Sequence, residues 1–93
     1  MGREVTLFKS EEKKSRTEVG NFLKELADKI SNGHVVLKQG SEELNLKIPE
    51  GTILEIKVED EEKSRGTQHS LEIELKWFDG EDHPESGSVE LGG

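Results

Sequence analysis

The chain has 93 residues, of which 29% are hydrophobic and 37% charged, with a formal net charge of −8 and no cysteine. One small domain is therefore expected, with disulfide and zinc–thiolate chemistry excluded and an anionic balance that disfavours nucleic acid and acidic membrane surfaces. From Asp79 onward there are five acids and no Lys or Arg, so much of the negative charge is gathered at the C-terminal end.

Glu4 to Lys9 reads as an opening strand, with Val5 and Leu7 inward and Thr6 and Phe8 on the other face. Ser15-Arg16-Thr17-Glu18 has the spacing of a capping box, in which Ser and Glu satisfy each other's backbone amides. Val19, Phe22, Leu23, Leu26 and Ile30 follow as one apolar stripe of an amphipathic helix, and Asn32-Gly33 predicts its left-handed stop. Gly20, inside the helix, suggests close packing on a strand.

Beyond the helix the rhythm changes from 3.6 to 2. Val35 and Leu37, then Leu44, Leu46 and Ile48, predict a hairpin turned at Gln39-Gly40-Ser41. Pro49-Glu50-Gly51 breaks the chain, and Leu54, Ile56 and Val58 begin a further strand. Asp60 to Gln68 reads as a polar loop, after which Leu71-Glu72-Ile73-Glu74-Leu75-Lys76-Trp77 alternates without interruption. Parity places Trp77, the only tryptophan, on the dry face with Leu71, Ile73 and Leu75. The expected fold class is α+β: a two-layer sandwich in β-α-β-β-β-β order, with one amphipathic helix packed on a mostly antiparallel sheet. Residues 1–80 form that domain in this reading. Residues 81–93 form a flexible acidic tail ending in Gly-Gly.

With Trp77 closing the alternation, the layout resembles the amphi-Trp domain family of short prokaryotic proteins. The matching pieces are Glu4-Val5-Thr6-Leu7-Phe8, Leu26-Ala27-Asp28-Lys29-Ile30, the Gly33-to-Leu37 start of the sheet and Leu71 to Trp77. The resemblance covers residues 4–78 and leaves the tail outside. It implies the fold but no activity, and so carries over no functional residues.

No catalytic residue, cofactor site or metal site is expected. His34, His69 and His83 share no ligand spacing, and no nucleophile elbow or phosphate loop is present. Glu72 and Glu74, on the wet face, are expected to pair across strands with Lys47 or Lys57. The polar face has apolar exceptions at Phe8, Val36, Ile53 and Phe78, which together make a candidate protein-binding patch. The sequence thus predicts a cytoplasmic, non-enzymatic interaction module with a protein partner, no nucleic-acid or membrane partner, and a monomeric or weakly dimeric state. The alternative lies in Leu91-Gly92-Gly93. Gly92 and Gly93 resemble the conjugation terminus of ubiquitin-like modifiers and sulfur carriers, a thin end whose carboxylate can be adenylated.

Overall fold

The structure is a computed structural model that describes residues 2–80. It divides at Ile48/Pro49 into two compact units, each taken by itself below.

In the first unit, α1 runs Arg16–Ser31, β1 His34–Gln39 and β2 Glu42–Lys47. The capping box is complete: the Glu18 amide donates to Ser15 Oγ at 3.1 Å, and the Ser15 amide donates to Glu18 Oε1 at 3.0 Å. Glu18 also places a negative charge in the first turn, where the helix dipole favours it. At the other end Asn32 stays right-handed and Gly33 takes the left-handed residue, at φ 83, its amide donating to the Ile30 carbonyl at 2.9 Å. The Gly33 carbonyl then accepts from the Ile48 amide at 2.9 Å, tying the helix stop to the end of β2.

β1 and β2 are antiparallel with Val35 opposite Leu46 and Leu37 opposite Leu44. Their two-residue loop is Gly40-Ser41, with the positive φ of 59 at Gly40 alone, the requirement of a type II′ turn. α1 packs against β1. Val35, 4% exposed, is the one buried hydrophobic among the described residues, while Leu26, Ile30, Leu37, Leu44, Leu46 and Ile48 are half-buried.

The second unit is an antiparallel ribbon of two long strands, β3 (Ile53–Lys63) and β4 (Gly66–Lys76), joined by Ser64-Arg65. Three apolar pairs, Leu54 with Leu75, Ile56 with Ile73 and Val58 with Leu71, occupy one face. The other face is charged. There Glu55 stands opposite Glu74 and Lys57 opposite Glu72.

The α+β class stands, but the element order is α-β-β-β-β. Residues 4–9 have no ladder partner among the described residues: alternation favours an extended chain, whereas a strand also needs an edge to bond to. Their predicted orientation is reversed as well, since Phe8 is half-buried and Val5 and Leu7 are exposed. The expected loop at 60–68 is instead the distal half of the ribbon, where both faces are polar and leave no hydrophobic rhythm to read. The four strands form two two-stranded sheets rather than one. A Cβ at Gly20 would meet nothing within 4 Å, so no close approach explains that glycine. Trp77 lies just past the end of β4 and is half-buried.

Candidate functional site

The first unit carries a half-open groove of about 600 Å³, within the size range of small binding pockets. Three segments build it. The chain before the helix contributes Phe8, Ser10, Glu12 and Lys14; α1 contributes Glu18, Val19, Asn21, Phe22 and Glu25; and β1 contributes residues 36–39. The capping box fixes where α1 starts, and the 3.6-residue repeat then puts Val19 and Phe22 one turn apart on the wall. Val35 is buried in the interior, and the next four residues of β1, of both strand parities, line the groove.

Polar groups collar this apolar lining. Ser10 Oγ donates to Glu12 Oε2 at 3.2 Å, and Lys14 Nζ lies 3.2 Å from Glu12 Oε1. The hydrogen bond from Lys14 holds the Glu12 carboxyl below its ordinary range, and Glu12 in turn raises the Lys14 ammonium. Glu18 is also lowered, first by the Ser15 amide and then by the Ser15 hydroxyl and Lys14. Each shift moves its group away from neutrality and fixes its charged form. Such a collar suits ion pairing and orientation rather than proton transfer, which needs groups poised near the working pH.

Of the four candidate patch residues, Phe8 and Val36 line this one groove. Ile53 and Phe78 belong to the second unit and are exposed; Ile53 sits opposite Lys76 on the charged face of the ribbon. Gly92, Gly93 and His83 lie outside the described residues. Val19 and Phe22 were not singled out from sequence, because a helical apolar stripe signals burial, yet they are 45% and 56% exposed. No sequence signal separates the part of such a stripe that packs from the part that walls a groove.

The remaining candidates resolve into surface chemistry. His69 is inside β4 rather than at a loop edge, and its Nδ1 lies 2.6 Å from Oδ1 of Asp60, its direct cross-strand partner. Glu72 stands opposite Lys57 in the register, but the expected charge pair is not formed: the Lys57 ammonium lies 3.7 Å from Oε2 of Glu59 on its own strand instead. Glu74 is 4.0 Å from Lys76 Nζ, and Lys47 pairs in register with His34. Among the described residues no group of three or more His, Cys, Asp or Glu is arranged to hold a metal ion. None of their helices is long and apolar enough to cross a membrane.

An amphipathic helix on a hairpin, a long alternating ribbon and a closing tryptophan together define an α+β protein built on amphipathic elements. The sequence matches the Amphi-Trp domain over residues 1–92, and the chain belongs to that family. The match reaches well past Phe78, further than the residue pattern alone extended. No curated protein and no solved structure matches the chain.

Proposed function

We propose that this Amphi-Trp protein is a cytoplasmic, non-enzymatic protein-binding module whose recognition site is the groove of the first unit. The single observation behind this reading is the convergence of Phe8, Val19, Phe22 and Val36 on one open groove collared by fixed charges. An apolar floor with a polar rim is the anatomy of a surface that seats one or two anchor side chains. Glu12, Glu18, Glu25, Lys14 and Lys38 all line the groove, so the rim offers both signs of charge. The partner is therefore expected to bring an apolar anchor flanked by both basic and acidic residues.

A photoreactive residue at Asn21, on the groove wall, tests the reading. Irradiation in cells should cross-link one defined protein, and Phe22→Ser or Val36→Ser should abolish the adduct while the circular dichroism of the chain is preserved. A cross-linking pattern that those substitutions leave unchanged would overturn it.

A further inference from the structure

Asn32-Gly33 is the one Asn-Gly step in the chain; the other two asparagines, Asn21 and Asn45, precede Phe22 and Leu46. A glycine carries no side chain to shield its backbone nitrogen, so the asparagine before it is open to attack by that nitrogen. We infer that Asn32 is a site of spontaneous deamidation, and that opening of the last turn of α1 sets its rate.

The only co-reactant is water. The Gly33 amide loses its proton and its nitrogen bonds Cγ of Asn32; the Cγ–Nδ2 bond then breaks, and ammonia leaves carrying that proton. The product is a five-membered cyclic imide. Water opens it at either carbonyl, its hydroxyl going to the carbon and its hydrogen to the Gly33 nitrogen. One opening leaves aspartate. The other leaves isoaspartate, whose main chain runs through Cβ and Cγ.

The folded geometry opposes the first step twice. Asn32 is held at φ −84 and ψ −5, whereas ring closure requires ψ to turn until the Gly33 nitrogen eclipses Cβ. That nitrogen is also engaged, its N–H donating to the Ile30 carbonyl at 2.9 Å. Nor is this a free helix end. The Asn32 amide donates to the Asp28 and Lys29 carbonyls at 3.1 Å, and the Gly33 carbonyl accepts from the Ile48 amide at 2.9 Å. Ring closure therefore waits for a local opening that breaks these bonds. The consequence falls on the same joint. Either product puts a carboxylate at the negative end of the helix dipole. Isoaspartate also lengthens the main chain by one carbon ahead of Gly33, displacing its N–H and carbonyl from Ile30 and Ile48.

The test incubates the full-length chain in mildly alkaline buffer, with and without denaturing urea. Peptide mapping by mass spectrometry then follows conversion of amide to acid at each asparagine. In urea Asn32 should convert at least tenfold faster than Asn21 or Asn45. In the native chain it should convert at least tenfold slower than in urea, the protection conferred by the closed turn. Ile30→Ala removes a half-buried side chain from that turn and should raise the native rate while leaving the urea rate unchanged. The isoaspartate form, once separated, should exchange its Ile48 amide hydrogen faster than the parent. The comparison between native and urea holds whether or not Ile30→Ala folds. Equal rates with and without urea, an Asn32 no faster than Asn21 in urea, or an unmoved native rate in folded Ile30→Ala would overturn the inference.

Discussion

Lys76 reaches diagonally across the ribbon to Glu55, Nζ to Oε1 at 2.8 Å. Glu55 stands directly opposite Glu74, whose Oε1 is 4.0 Å from the same ammonium, so one lysine serves two facing carboxylates. Like charges opposite each other destabilise a sheet, and this cation offsets the conflict. The hydrogen bond from Lys76 lowers the Glu55 carboxyl, and the same bond raises the Lys76 ammonium.

The first expected outcome concerns pH. For the depressed carboxyl of Glu55, stabilisation is complete above the unfolded value near 4.3 and is lost as pH falls through its folded value. For the raised Lys76, it is complete below about 10.4 and is lost as pH rises through the folded value. Both groups are exposed, so the effect is small and salt-sensitive. Lys76→Met should bring the Glu55 titration back towards the ordinary glutamate range, read from its side-chain carboxyl signal by NMR, and should destabilise the ribbon near neutrality. An unmoved Glu55 titration would show that the pair does not persist in solution.

The helix cap gives the second. Ser15→Ala removes the acceptor of the Glu18 amide and should cost about 1 kcal/mol in chemical denaturation. The loss should be visible locally as faster hydrogen exchange at Glu18. Ser15→Asp, which restores an acceptor, should recover most of it.

Two glycines of the first unit should respond in opposite directions to the same change. Gly20 is helical with open space around it, so Gly20→Ala should raise stability by about 0.5–1 kcal/mol through propensity alone. Gly33 sits at φ 83, and a Cβ there would stand 3.4 Å from the Ile48 carbonyl oxygen. Gly33→Ala should lower stability by about 1–2 kcal/mol, the penalty of a left-handed residue with a side chain. Thermal midpoints of the two variants on either side of the parent are the check.

What could be read in the sequence follows from how local each determinant is. Ser15, Glu18 and Gly33 act within one or two turns, so both ends of α1 were legible to the residue. Asp60 to Gln68 was not, because its ladder is held by backbone bonds and by pairs such as Asp60–His69, which leave no apolar alternation. The stretch around Val5 and Leu7 carries the alternation of a strand, but the edge it would need is a non-local property that no residue in the stretch encodes. At the groove, Phe8 and Val36 were singled out from the sequence, but as part of a face away from the helix, whereas α1 forms one wall of the groove and Phe8 stands there with its expected orientation reversed. Val19 and Phe22 were concealed because one apolar stripe serves both the packing of α1 and the groove wall.

Val35 and Val36 make the sharpest pair of substitutions, since adjacent strand residues face opposite sides. Val35, 4% exposed and opposite Leu46, loses packed contacts when shortened. Val35→Ala should cost about 1–3 kcal/mol, scaled down from larger core truncations because fewer carbons are removed. Val36, 38% exposed, stands on the groove, and Val36→Ala should change stability by no more than about 0.5 kcal/mol. If the groove is a recognition site, the order reverses in a binding assay: Val36→Ala weakens the photo-adduct at position 21, while Val35→Ala, assayed well below its melting point, leaves it near parental levels. Equal stability losses at the two positions would mean that Val36 is covered in solution, and the groove would then not be open to a partner.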